Sequence, residues 1–188
     1  MTITVGYLVG SLAKGSINRK LATALARLAP AGFTLREIPI AELPLYSYDY
    51  DADFPAPARA FKQALADVDA LLFVTPEYNR SIPGGLKNAL DWASRPKGEN
   101  GLSGKPAAVI GTSPGAIGTA LAQAHLRSVL CFSNVALFNG MEGYLQFKPD
   151  LIDGEGKVSN PDTEAFLRKF IESYAAFVKQ QLAARAAG

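Results

Sequence analysis

Short apolar runs rich in β-branched residues alternate along the chain with segments whose apolar residues recur every three or four positions. The runs have the length and composition of buried strands, and their alternation with helical segments is typical of parallel βαβ units. The predicted strands are residues 5–9, 33–38, 70–74, 106–111 and 134–137.

Five segments have the periodicity of amphipathic helices, as where Leu21, Leu25 and Leu28 fall on one face. The predicted helices are residues 18–28, 58–66, 84–94 and 118–132, and a last one that opens at Pro161. We expect the aromatic stripe of the last helix to pack in the core; it consists of Phe166, Phe170, Tyr174 and Phe177. Together these elements predict an α/β fold of the flavodoxin-like kind, a doubly wound five-stranded parallel sheet with helices on both faces. A length of 188 residues predicts a single domain, 1–188.

Residues 39–57 are a long connection rich in proline, aspartate and tyrosine. A connection of this length in a compact domain is more often functional than idle, and its tyrosines are candidates to cover a ligand. The alternative is a solvated excursion that uses the same tyrosines to cover the surface of the domain. The sequence leaves both interpretations open.

Composition and net charge limit which kinds of molecule are expected to bind this protein. Hydrophobic residues make up 48% of the chain and charged residues 19%, as in an ordinary globular protein. The net charge is only +2, without a long basic run, so nucleic acid is not an expected partner.

Three further observations bear on chemistry and location. Cys131 is the only cysteine, which excludes an internal disulfide, fits a reducing cytoplasm and predicts a buried, inert thiol. His125 is the only histidine, so a multi-histidine metal site is excluded and no metal is expected. The apolar run at residues 3–9 is too short to span a membrane and lacks a basic leader, which predicts a cytoplasmic protein without a membrane span.

The loop after the first predicted strand has the composition of a phosphate site. Small residues and successive N–H groups at a helix start let an anion approach, with short donors from Ser11, Ser16 and Asn18 and positive charge from Lys14. The alternative is a plain βα turn in which Ser16 or Asn18 caps the helix. A nucleoside-triphosphate loop is excluded, because Ser16 stands where that motif requires lysine.

Two other loops are expected at the same edge of the sheet. After the third strand, Pro76, Glu77, Tyr78 and Asn79 offer backbone groups, an amide and an aromatic ring, as a flat isoalloxazine requires. Turn roles for Tyr78 and Asn79 are the alternative. Residues 112–118 after the fourth strand are small enough for close approach to such a ring. The three loops together point to a bound flavin.

These segments resemble the NAD(P)H-dependent FMN reductase family, which includes quinone and chromate reductases. The matching motifs are residues 10–12 and 14–18, the Thr-Pro-Glu-Tyr-Asn segment at 75–79 with Ser81 and Pro83-Gly84, residues 86–92 and Ser113-Pro114-Gly115. Gln123 and His125-Leu126-Arg127 extend the likeness into the following helix. The resemblance implies that the FMN phosphate is held by Ser11, Ser16, Ile17 and Asn18. It also implies that Pro76, Glu77, Tyr78 and Asn79 line the isoalloxazine, with Ser113 and Gly115 beside it. Family members commonly have arginine where this chain has Ala13, and Lys14 is expected to supply the missing charge.

The function implied by the resemblance is two-electron transfer from NADPH or NADH through FMN to quinones, by a ping-pong hydride mechanism. Chromate, azo and nitro compounds are further possible acceptors. The cofactor carries out this chemistry, so no catalytic side chain is expected, and His125 is given no role. The alternatives are a flavodoxin-like FMN electron carrier and a fold relative that only binds a phosphorylated ligand.

The resemblance also implies self-association as a dimer or tetramer. The helix at residues 84–94 would lie in the interface, with Trp92 as an anchor. Core packing is the preferred interpretation for Leu86.

Overall fold

The apolar runs form the strands of one parallel sheet in the computed structural model. The structure describes residues 2–187. The strands are β1 (Ile3–Val9), β2 (Phe33–Glu37), β3 (Ala70–Val74), β4 (Pro106–Ser113), β5 (Ala136–Leu137) and β6 (Tyr144–Gln146). Their order is β2-β1-β3-β4-β5, with every pair parallel. This is the flavodoxin-like order, so the predicted fold is confirmed.

The sixth strand was not predicted. β5 pairs with the start of β4 at Pro106 and Ala107, whereas β6 pairs with its end at residues 111–113, also in parallel. The outer edge of β4 is therefore covered by two short strands in succession. Three residues carry no periodicity of their own, so β6 exists only because β4 offers unpaired backbone groups beside it.

Five helices cover the two faces of the sheet. They are α1 (Ile17–Arg27), α2 (Ala56–Ala66), α3 (Gly84–Ala93), α4 (Ala120–Phe132) and α5 (Pro161–Ala187). The apolar faces of α1 and α5 pack on one side of the sheet, and those of α2, α3 and α4 pack on the other. Helices on both faces confirm the doubly wound arrangement.

The aromatic stripe of α5 belongs to the core, as predicted. Phe170 and Tyr174 are buried, and Phe166 and Phe177 pack against the same cluster. The Tyr174 hydroxyl donates a hydrogen bond of 2.5 Å to the carbonyl oxygen of Leu71 in β3. Because burial disfavours a phenolate, the pKa of Tyr174 is raised and the hydroxyl remains a donor.

The long connection between β2 and α2 is anchored to α3. Its residues Tyr48–Ala52 form a 3₁₀ helix. The side chain of Asn88 accepts from the N–H of Tyr46 at 2.8 Å and donates to the carbonyl oxygen of Pro44 at 2.9 Å. The Trp92 Nε1–H donates to the same carbonyl at 2.7 Å.

Trp92 is wholly buried, so the prediction that it anchors an interface is wrong. The rings of Tyr46, Tyr50 and Phe54 surround it, with centroids 5.1, 5.5 and 5.0 Å from the indole. Tyr46 and Tyr50 therefore pack against this tryptophan. Of the tyrosines at 46–50, only Tyr48 stands well out from the surface, at 73% exposure. Leu86 lies in the core, as preferred from the sequence.

Cys131 is exposed, so the prediction of a buried thiol is wrong. The buried positions of α4 include Leu126 and Leu130, one turn apart. A residue that follows directly after a buried one is rotated by about 100° around the helix, which turns Cys131 outward. Within residues 2–187, no helix is both long enough and apolar enough to cross a membrane.

Candidate functional site

Two glycines let the loops after β1, β3 and β4 approach one another. A β-carbon at Gly10 would lie 3.0 Å from Thr75 Oγ1 and 3.1 Å from Leu86 Cδ2. At Gly111 a β-carbon would collide with the carbonyl oxygen of Thr75 and the hydroxyl of Thr119. The three loops therefore meet at the carboxyl edge of the sheet, as the sequence predicted for parallel strands.

The loop after β1 presents a set of unpaired N–H groups. Those of residues 12–15 and of Ile17 and Asn18 donate to no acceptor within the described chain, 2–187. A β-carbon at Gly15 would meet nothing within 4 Å, so the space beside this backbone is open. Free N–H groups and open space at the amino end of a helix suit an anion of phosphate size.

The polar side chains of the loop after β1 differ in burial and in hydrogen bonding. Ser16 is the N-cap of α1, and its Oγ accepts a hydrogen bond from the N–H of Arg19 at 3.2 Å. Ser11 and Ser16 are buried, whereas Lys14 is exposed and forms no ion pair within the described residues. Ser16 therefore caps α1, as the alternative interpretation of this loop predicted. Because its oxygen accepts in this cap, the hydroxyl proton remains free to donate.

Asn18 is buried and its side chain is bonded to β4 rather than to the loop. Its Nδ2 donates to the carbonyl oxygen of Thr112 at 2.9 Å, and its Oδ1 accepts from the N–H of Thr112 at 3.0 Å. The amide thus extends the hydrogen bonding of β4 to α1. For the predicted phosphate contact, the backbone N–H of Asn18 is unpaired within the described residues, whereas Nδ2 and Oδ1 are both bonded to β4.

Residues 78–81 in the loop after β3 form a tight hairpin. Tyr78 and Ser81 exchange two backbone hydrogen bonds of 3.0 Å, and both residues between them have positive φ, 50° at Asn79 and 65° at Arg80. This is the pattern of a type I′ turn. Pro76 is buried below it, and Tyr78 and Asn79 are exposed at its tip, with Tyr78 at 50%.

We expect Arg80→Gly to raise the free energy of unfolding by about 1 kcal/mol, since a left-handed conformation strains every residue with a β-carbon. Chemical denaturation measures the change. Arg80→Ala is the matched control, because alanine also removes the guanidinium but keeps the β-carbon. Equal stability of the two variants would contradict the prediction.

The carboxylate of Glu77 contacts α4. Its Oε2 accepts from the N–H groups of Leu121 and Ala122, at 3.0 and 3.2 Å. The side chain therefore caps a helix that begins 43 residues later in the chain. For the predicted contact with an isoalloxazine, Glu77 therefore has its backbone and Oε1, which lies 3.8 Å from Arg80 Nη1. Sequence reasoning missed this cap because nothing local links the two positions.

Ser113, the last residue of β4, contacts the backbone of the loop that follows. Its Oγ lies within hydrogen-bonding distance of the carbonyl oxygens of Gly115 and Gly118. Gly118 has a φ of 66°, which explains why α4 begins at Ala120 and not at residue 118 as predicted. Residues 114–117 are exposed, so Gly115 is open to a ligand at this edge.

Residues 3–150 match the sequence model of a family described as NADPH-dependent FMN reductase. This chain belongs to the NADPH-dependent FMN reductase family. The chain is 53% identical over 181 residues to a 2-hydroxy-1,4-benzoquinone reductase from a Burkholderia species, covering 96% of this chain and 99% of that one. It is 45% identical over 177 residues to a quinone reductase of Pseudomonas putida, covering 94% and 95%.

A solved structure supports the same family. FerB, a flavoenzyme NAD(P)H:(acceptor) oxidoreductase from Paracoccus denitrificans, superimposes with a TM-score of 0.92 at 42% identity. The superposition covers 96% of this chain and 99% of FerB.

The loops at the carboxyl edge of the sheet fit FMN, the cofactor that gives this family its name. The unpaired N–H groups beside Gly15 suit a terminal phosphate, and the exposed Lys14 adds positive charge in the same loop. The exposed hairpin tip and the exposed loop at 114–117 lie at the same edge of the sheet, where a flat ring needs polar backbone and open space.

Proposed function

We propose that this chain is an FMN-dependent oxidoreductase that moves two electrons from NAD(P)H to quinones. One observation carries the proposal: an anion site of unpaired N–H groups and the exposed hairpin 78–81 share one sheet edge in a member of this family. Two relatives that match over nearly their whole length are also quinone reductases, one of them a 2-hydroxy-1,4-benzoquinone reductase. Chromate, azo and nitro compounds are further acceptors to test.

The residues assigned to the cofactor divide between its two ends. Loop residues Ser11 and Lys14 and the first turn of α1, from Ser16 to Asn18, would hold the phosphate. The loops after β3 and β4 would contact the ring; the contact residues are Pro76, Glu77, Tyr78, Asn79, Ser113 and Gly115. When bound, FMN supplies the two-electron chemistry by accepting hydride from the nicotinamide and passing electrons to the acceptor.

The chain's own residues would bind FMN and orient it. Within the described residues the three loops contain one carboxylate, Glu77, and its Oε2 is occupied by the N–H groups of α4. We therefore assign no general acid or base. The N–H groups of Glu77, Asn79 and Arg80, which donate to no acceptor within the described residues, would stabilise negative charge in a ring that gains electrons, and Tyr78, half exposed among them, would shape access for the acceptor.

The test is an absorbance spectrum of the protein with FMN, before and after anaerobic addition of NADPH or NADH. A flavin band that bleaches on mixing and recovers with a quinone supports the reductase. A band that persists with both nicotinamides would instead support the electron carrier, which a net charge of +2 does not favour. Failure to bind FMN would contradict the whole proposal.

We also propose that the protein self-associates, as a dimer or tetramer, through a groove between α3 and α4. The groove has a volume of about 510 Å³ and is lined by apolar and polar residues, among them Ile82, Lys87 and Val129. Phe132, at 93% exposure, lies about one turn beyond Val129 on α4. An exposed phenylalanine beside a groove is typical of an interaction surface.

We expect Phe132→Asp to shift the protein towards the monomer, because a carboxylate cannot be buried there without a partner. Sedimentation or light scattering measures the mass. Leu45→Asp is the matched control, since Leu45 is similarly exposed but lies in the connection between β2 and α2. A monomeric wild type, or unchanged mass in Phe132→Asp, would contradict the proposed surface.

A cytoplasmic location is part of the same proposal. The only cysteine, Cys131, has no second thiol in the chain to pair with, and it is exposed. An exposed thiol fits a compartment that keeps thiols reduced.

A further inference from the structure

Two side-chain contacts fasten the hairpin 78–81 to one face of α4. At its start, Glu77 Oε2 accepts from the N–H groups of Leu121 and Ala122. At its end, Ser81 Oγ lies 3.0 Å from His125 Nδ1. Glu77 and Ser81 are four residues apart, and so are Leu121 and His125. Residues four apart on a helix lie above one another, so the hairpin runs along the first two turns of α4.

The first contact replaces the usual cap of α4. Thr119 is the N-cap residue, but its side chain caps no N–H group; its hydroxyl accepts from Gln123 Nε2 at 2.9 Å. The carboxylate of Glu77 satisfies two N–H groups of the first turn, and its charge is favourable at the positive end of the helix. Its side chain is only 12% exposed, so water competes little for these bonds.

The second contact involves His125, the only histidine of the chain. When the ring is neutral with its proton on Nε2, the Ser81 hydroxyl donates to Nδ1. Ser81 is also the residue that closes the type I′ turn by exchanging backbone hydrogen bonds with Tyr78. A contact at this residue therefore acts on the whole tip, Tyr78 to Arg80.

We propose that Glu77 and His125 are positioning residues, a two-point clamp that holds the hairpin in the shape required to bind FMN. This inference rests on the proposed function, because it assigns the hairpin to the ring. In this assignment each side chain acts on the ring site through the backbone of the hairpin. The strained φ of Arg80 persists because the hairpin is held at both ends.

The test compares Glu77→Ala and Glu77→Gln with Asn160→Ala. Glutamine keeps an oxygen that accepts from both N–H groups, whereas alanine leaves them unpaired. Asn160 is the matched control, because its Oδ1 accepts from the N–H of Thr163 at the start of α5, away from the three loops. Loss of either cap is expected to lower stability, and more so at Glu77, because its two bonds are shielded from water whereas Asn160 is exposed.

FMN affinity of the apoprotein, measured by quenching of flavin fluorescence, separates positioning from stability. We expect Glu77→Ala to weaken binding about tenfold, Glu77→Gln to remain within about threefold of wild type, and Asn160→Ala to leave binding unchanged. Equal effects of Glu77→Ala and Asn160→Ala would overturn the clamp, and so would failure of glutamine to rescue.

The histidine contact is tested by a cycle of Ser81→Ala, His125→Ala and the double variant. Removing either partner breaks the same hydrogen bond, so the double variant is expected to bind FMN about as weakly as either single one. Independent, multiplying effects on affinity would overturn this half of the clamp.

Amide hydrogen exchange of the apoprotein tests the clamp independently of the proposed function, because it requires no bound FMN. Glu77→Ala is expected to speed exchange at Leu121 and Ala122 and at the paired amides of Tyr78 and Ser81. Unchanged exchange would overturn the clamp whether or not FMN binds. A wild type that binds no FMN while Glu77→Ala still loses protection would overturn the proposed function and leave the physical clamp standing.

Discussion

Gly111→Ala is expected to lower the free energy of unfolding by about 3 kcal/mol, with loss of FMN binding. The added β-carbon would collide with the carbonyl oxygen of Thr75, and that oxygen belongs to backbone that cannot rotate away. The N–H of Thr75 is bonded to the carbonyl oxygen of Ile110 at 3.0 Å, so relief requires β3 and β4 to part at their carboxyl ends. Chemical denaturation and an FMN titration measure the two effects.

Gly115→Ala is the matched control for this substitution. A β-carbon at Gly115 would meet only Ser113 Oγ, at 3.7 Å, which is ordinary van der Waals contact. We expect wild-type stability, and any change in FMN affinity would then report on the ligand face of the loop after β4. A Gly111→Ala protein as stable as wild type would show that the loops do not meet as described.

Asn18→Ala is expected to cost about 3 kcal/mol of stability and to weaken FMN binding. The substitution leaves the N–H and the carbonyl oxygen of Thr112 without partners in a site that is wholly buried. Each buried group left unpaired costs about 1–3 kcal/mol. FMN binding falls as well, because the amide holds the first turn of α1, whose free N–H groups form the anion site, against β4.

The control for Asn18 is Asn88→Ala, since Asn88 also makes two hydrogen bonds to backbone groups, those of Tyr46 and Pro44. Asn88 is only partly buried, so water can replace part of what is lost and the stability cost is expected to be smaller. Denaturation midpoints compare the two variants. A larger loss in Asn88→Ala would contradict the importance assigned to the bond between α1 and β4.

Much of the fold was predictable because the pattern that encodes it is local. Strands β1 to β4 and helices α1 to α4 are each complete within 5–13 residues, as in the buried run Ala70–Val74 of β3. The loop motifs are equally local, so the three loops and the family could be predicted from residues 10–18, 75–79 and 113–115. The assignments of cofactor contacts and of a single domain remain predictions.

The errors concern side chains whose neighbours are distant in sequence. Trp92 was predicted at an interface, but three aromatic rings from residues 46–54 bury it. Cys131 was predicted buried, because apolar neighbours in sequence do not say which side of a helix faces the core. β6 was missed, because its only partner is the end of β4.

By itself, the sequence determined strands β1 to β5, the five α-helices, the loops at the sheet edge and the family, since periodicity and short motifs act over a few residues. Only the tertiary structure decided what the polar side chains of those loops do. Glu77 finds its partners 44 and 45 residues away, and Asn18 finds its partner 94 residues away. The physical reason is that a buried polar group must bond to whatever the fold brings within 3 Å, and no local pattern specifies that partner.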